Sequence, residues 1–121
     1  MAEGGTSVLV VEDDPALREM VAEVLQDAGY QVATAGDGHD ALVKVHEQMP
    51  RVILLDMKMP GMNGWEFAHV FRRQYEHGAP LVVMTAAVDA CQRAAEIAAE
   101  GYLSKPFAVS DLIRVVAHFV A

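Results

Sequence analysis

Four acidic side chains stand where carboxylate chemistry could arise. Glu12, Asp13 and Asp14 follow one apolar run, and Asp56 closes another. Carboxylates brought close repel, and each raises the pKa of its neighbours. A divalent cation relieves that cost, as does solvation with the side chains turned apart. An all-oxygen donor set suits Mg²⁺, which keeps several waters and takes few protein carboxylates; Mn²⁺ is the alternative. Asp14 has a second use, because Pro15 follows it and the pair reads as a helix N-cap and first helical residue. Thr85 and Lys105 each follow a further β-rich run. Alone, a Thr at a strand end or a Lys near the surface is unremarkable. At the same edge as the carboxylates, the ammonium can pair with a carboxylate and later with a phosphoryl oxygen. The Thr hydroxyl can then sense that oxygen. The Lys105–Pro106 bond is a candidate for the cis form.

The elements that must position these groups alternate. Strands are expected at Ser7 to Val11, Tyr30 to Ala35, Arg51 to Leu55, Leu81 to Met84 and Gly101 to Ser104. Helical spacing of apolar residues predicts helices from Asp14 to Gly29, about His39 to Gln48, Gly64 to Tyr75 and Asp89 to Ala99, with a last one capped by Ser110. The third strand is continuously apolar from Val52, as a strand covered on both faces should be. Strict alternation with right-handed crossovers favours an α/β, doubly wound, five-stranded parallel sheet with five helices. The expected order is 2-1-3-4-5, flavodoxin-like, and ligands in such sheets sit beyond the carboxyl ends of the strands, where the winding reverses. In this order that place lies between the first and third strands.

The chain of 121 residues suits one domain over 1–121, with 1–6 a short flexible start. Hydrophobic residues are 53% of it, so disorder is not expected. The lone Cys91 excludes an internal disulfide and fits a reducing, cytoplasmic setting. No signal peptide or membrane-spanning run is visible. With 17 acidic and 9 basic residues the net charge is -8, which argues against direct nucleic-acid binding. Arg72 and Arg73, with His69 beside them, read as a solvated helix face.

Taken in order, these segments resemble the receiver domains of two-component response regulators. Val10-Val11-Glu12-Asp13-Asp14-Pro15 is similar to their acidic-pair segment. The run from Leu55 through Asp56, Met57, Lys58, Met59, Pro60 and Gly61 to Gly64 is similar to their phosphoacceptor loop. Met84-Thr85-Ala86 and Gly101-Tyr102-Leu103-Ser104-Lys105-Pro106-Phe107 supply the other landmarks. The resemblance implies that Asp56 accepts a phosphoryl group. It makes Asp13 a direct Mg²⁺ ligand, Glu12 an assisting one and the Lys58 backbone carbonyl another. Lys105 would pair with the phosphoryl group, and Thr85 and Tyr102 would be the switch pair. It also implies a sensor histidine kinase or a histidine phosphotransfer protein as donor. An output protein, or a phosphorylation-dependent homodimer, would use the face made by the fourth helix, fifth strand and fifth helix. Self-phosphorylation and autodephosphorylation are expected rather than conventional enzyme turnover. Lys58 and Ala87 match positions flanking the hydrolytic water, and the Lys58 stem covering that path predicts a long-lived phosphoaspartate. Two features depart from the family. The stretch from Thr85 to Lys105 looks about two residues short, and Ala98 stands where a Gly is expected.

Other classes fit less well. An aspartate-nucleophile phosphatase wants an acid two residues after the nucleophile, and position 58 is Lys. A flavin carrier wants a Ser/Thr/Gly-rich phosphate loop where Glu12, Asp13 and Asp14 would repel the phosphate. A receiver that only mediates protein contacts would not need the complete set of charged residues. The five histidines show no metal-ligand spacing. Met57, Met59 and Met62 are expected to pack the loop, Trp65 to be a core or rim aromatic, and Cys91 a small apolar filler.

Overall fold

The computed structural model describes residues 7–86 and 88–120. The expected flexible start over 1–6, and Ala87 beside the proposed water path, lie outside the described residues. The elements alternate as the sequence predicts: β1 (Val8–Val11), α1 (Pro15–Asp27), β2 (Val32–Ala35), α2 (Gly38–Glu47), β3 (Val52–Asp56), α3 (Gly64–Gln74), β4 (Leu81–Ala86), α4 (Ala90–Glu96), β5 (Gly101–Lys105) and α5 (Val109–Phe119). All four strand pairings are parallel, in the order β2-β1-β3-β4-β5.

Each strand sends alternate residues to opposite faces, so the sheet has two cores. Leu9, Val11, Ile53, Leu55, Leu81 and Val83 pack with Ala41, Val45, Phe67, Phe71 and Ala94, under α2, α3 and α4. Val8, Val10, Val52, Leu54, Val82 and Met84 pack with Val21, Leu25, Leu112 and Val116, under α1 and α5. β1 and β3 are buried along their whole length, which holds their carboxyl ends rigidly side by side.

Local chemistry sets the helix starts. The Asp14 carboxylate accepts from the Ala16 and Leu17 N–H groups at 3.0 and 3.4 Å, as its N-cap reading requires. Asp37 does the same for α2, accepting from Asp40 N at 2.8 Å. Asn63 and Glu66 form a capping box at α3. Ser110, expected to cap the last helix, does not do so. Instead Ala108 holds the cap position, with no side-chain hydrogen bond there, and Ser110 lies within the first turn of α5. The Leu112 N–H is met by the Ala108 carbonyl, so no hydroxyl is required.

α4 is shorter than expected, at seven residues, and its start has no side-chain cap. Its C-terminal side is held from α3. Arg72 Nη2 donates to the carbonyls of Ala98 and Ile97 at 3.0 and 3.5 Å and lies 3.5 Å from Glu100 Oε1. Arg72 is therefore a tie between elements, not only part of a solvated face. Ala98 takes φ +52°, the left-handed region that a Cβ disfavours. Ala98→Gly should raise stability by about 0.5–1 kcal/mol, net of the entropy that glycine loses on folding. Urea unfolding checks this: a higher midpoint at unchanged slope is expected, and a lower one would contradict it.

Candidate functional site

The register of the sheet assembles the site. Val11 lies opposite Leu55, so Glu12 and Asp13 emerge beside Asp56. Asp56 lies opposite Met84, which puts Thr85 one residue further along the same edge. Thr85 pairs with Ser104 and Ala86 with Lys105, bringing the lysine to that edge too.

The structure converges three of the four carboxylates. Oxygens of Glu12, Asp13 and Asp56 all lie within 4.8 Å of one another. Asp14 is turned away into its capping role. Glu12 and Asp56 are buried, at 1% and 5% exposure, while Asp13 is open to solvent. Lys105 Nζ reaches Glu12 Oε1 at 2.8 Å and Asp56 Oδ1 at 3.5 Å, and the Lys105–Pro106 bond is cis. Asp56 Oδ1 also faces the Lys58 N–H at 3.5 Å. Lys58 itself is exposed.

Electrostatics mark Asp56 as the strained member. Its pKa rises from 3.8 to about 7, first because it is buried and then because of the Glu12 charge. Lys105 pulls it back, but not enough. For Lys105, burial works against the charge. The hydrogen bond to Glu12 and the field of Asp56 outweigh it, raising the pKa above the ordinary lysine value. One ammonium, paired with Glu12 and Asp56, thus stands against a cluster of three carboxylates. That surplus of negative charge, with one ligand open to water, is what a partly hydrated hard cation fits. Glu12, Asp13 and Asp56 are the residues that could hold it.

Thr85 is buried at the strand end, and Tyr102 is 46% exposed on β5. Met57 and Met59 are buried in the core, and Met62 packs against it from the rim. Cys91, expected to be a filler, is exposed. On so short a helix only Ala90 and Ala94 reach the core, and position 91 points away. Trp65 is a rim aromatic, donating from Nε1 to Glu96 Oε1 at 2.8 Å beneath the Arg93 guanidinium.

The sequence gives no sign of the Arg18 support and marks Gly64 only as the end of the acceptor loop. Arg18 Nη1 donates to the Glu12 carbonyl at 2.9 Å. Gly64 carries the turn after Asp56: a Cβ there would meet the Met57 Cα at 2.7 Å and the Asp56 carbonyl oxygen at 3.0 Å. Its place, next to a helix cap and after the acceptor loop, was the available signal. Gly64→Ala should force that loop outward, costing about 1–3 kcal/mol and weakening Mg²⁺ binding as well. Thermal melts with and without Mg²⁺ check this, and a variant with wild-type stability and Mg²⁺ response would contradict it.

Comparison with known proteins agrees with this geometry. The family model for the response regulator receiver domain matches residues 8–117. DNA-binding response regulator MtrA of Mycolicibacterium smegmatis is 41% identical over 111 residues, 90% of this chain and 48% of that protein. The probable transcriptional regulatory protein TcrX of Mycobacterium tuberculosis is 37% identical over 88% of this chain and 46% of its own length. The chain therefore spans about half the length of these curated relatives. The expectation of no nucleic-acid contact finds no support in relatives so named. Among solved structures, chemotaxis protein CheY4 of Vibrio cholerae superposes with TM-score 0.83 at 36% identity, covering 96% of this chain and 99% of that one. TrrA of Thermotoga maritima, solved in complex with Mg²⁺ and BeF, gives TM-score 0.82 at 30% identity over 94% and 98%. Fold, charged edge and family match agree, and the chain belongs to the response regulator receiver domain family.

Proposed function

We propose that this receiver is the phosphorylation switch of a two-component or phosphorelay system in the cytoplasm. Among the described residues, no helix is long and apolar enough to cross a membrane. The observation that carries the reading is the buried Asp56, crowded by Glu12 and Asp13 and answered by Lys105.

An Asp56 carboxylate oxygen attacks the phosphorus of a phosphohistidine on a sensor kinase or phosphotransfer protein. The O–P bond forms as the N–P bond breaks, and the departing imidazole keeps the electron pair. Glu12, Asp13, Asp56 and the Lys58 backbone carbonyl would hold Mg²⁺, or Mn²⁺ in its place. When bound, the cation supplies neutralisation of the phosphoryl oxygens, the main demand of such a transfer. Lys105 moves from its carboxylate partners toward a phosphoryl oxygen, bringing charge stabilisation from a preorganised site. The Thr85 hydroxyl then turns toward the new oxygen and Tyr102 moves inward, shifting the population of a second state of the α4–β5–α5 face. That face meets an output protein or a second copy. TrrA's complex with Mg²⁺ and BeF supplies the probe.

Amide exchange with and without Mg²⁺ and beryllofluoride tests the switch. Slower exchange is expected in the loop from Asp56 to Gly64, with altered exchange over α4 and β5. No change at α4 and β5 would overturn the switch.

A further inference from the structure

We infer that Arg18 is a positioning residue for this site: it fixes the Glu12–Asp13 peptide so that the Asp13 carboxylate faces Asp56. The inference rests on the metal-binding role proposed above.

Glu12 and Asp13 are held in different ways. The Glu12 side chain is locked at both oxygens, by Lys105 Nζ at 2.8 Å and by the Asp14 N–H at 3.2 Å. Asp13 is exposed, and its carboxylate meets another acid, Asp56. Its direction is therefore set by its backbone. That backbone is pinned on three sides. Glu12 N donates to Ala35 O at 3.0 Å, at the end of β2. Asp14 is fixed as the cap of α1. Between them, the carbonyl of the Glu12–Asp13 peptide accepts from Arg18 Nη1 at 2.9 Å.

Arg18 is well placed to be stiff. It lies in the first turns of α1, with its own N–H bonded to Asp14 O at 2.9 Å. Its side chain is half-buried and passes Gly36, where a Cβ would come within 3.2 Å of Nη1. Losing this donor frees the peptide to rotate, and Asp13 with it. Groups that orient metal ligands without touching the metal typically change affinity 10–100-fold.

The test is a double-mutant cycle on Mg²⁺ affinity, measured by isothermal titration calorimetry, with urea unfolding in EDTA for each variant. Arg18→Ala should weaken Mg²⁺ binding about tenfold. The same change in an Asp13→Asn background should weaken it by less than about twofold, because the group being positioned is gone. Arg18→Lys, which keeps a donor, should recover part of the loss. Equal weakening in both backgrounds would show a general structural effect and overturn the inference. So would an Arg18→Ala variant with wild-type affinity. A wild-type protein that shows no Mg²⁺ response would instead remove the metal-binding role itself.

Discussion

Asp56→Asn should abolish phosphoryl incorporation and, in metal-free protein, make the fold more stable. The loss follows from the nucleophile: an amide offers no anionic oxygen to form the O–P bond. The gain follows from the charge. Asn has nearly the shape of Asp but removes a carboxylate buried beside Glu12. Lys105 keeps its shorter bond, to Glu12. The pH dependence has a definite sign. Because the folded pKa is raised from 3.8 to about 7, protonation favours the folded state. That contribution is full below pH 3.8 and is lost as pH rises through about 7. In EDTA at pH 8 the variant should exceed wild type by roughly 1–3 kcal/mol, less than the whole shift implies because Lys105 loses one partner. Near pH 4 the difference should shrink. Urea midpoints at the two pH values check it. A variant less stable than wild type at pH 8 would contradict the assignment of Asp56 as the strained carboxylate.

Lys105→Met should do the opposite to stability while also slowing phosphorylation severely. It leaves Glu12 buried with one backbone donor, and leaves three acids without their ammonium. Removing one partner of a buried pair strands the other charge, and a partly exposed Lys makes the cost about 2–3 kcal/mol in EDTA. Phosphoryl incorporation should fall on the order of 100-fold, as when one preorganised charge or donor is removed from a transfer site. Mg²⁺ binding should survive, since the lysine competes with the cation for the same carboxylates. A Mg²⁺ titration beside a phosphorylation time course separates the roles. Loss of Mg²⁺ binding together with phosphorylation would make Lys105 a scaffold of the metal site, not a partner of the phosphoryl group.

Most of the sheet was legible because buried parallel strands read as unbroken apolar runs, and β1 and β3 are of this kind. Once the order was set, Glu12, Asp13, Asp56, Thr85 and Lys105 had to meet at one edge. What escaped depends on long side chains reaching backbone. Arg18 reaches a carbonyl six residues back, and Arg72 reaches two carbonyls beyond α4. No periodicity records such reach. The fourth helix reads as short in sequence, but it ends before Ala99, because an alanine-rich stretch keeps helical propensity past the point where the chain turns at Ala98. Cys91 was misread for the same reason: a two-turn helix buries one narrow face, and the residue beside it looks apolar in sequence but faces water. Ser110 looked like a cap by residue type, yet α5 starts earlier, at Val109.

The central claim is that Asp56 takes the phosphoryl group at a Mg²⁺-dependent site. Intact-protein mass after incubation with Mg²⁺ and acetyl phosphate tests it most directly, with Asp56→Asn and an EDTA control run beside wild type. Wild type should gain the mass of one phosphoryl group, traced by fragmentation to Asp56, and neither control should gain it. A gain that persists in Asp56→Asn, or in EDTA, would contradict the account.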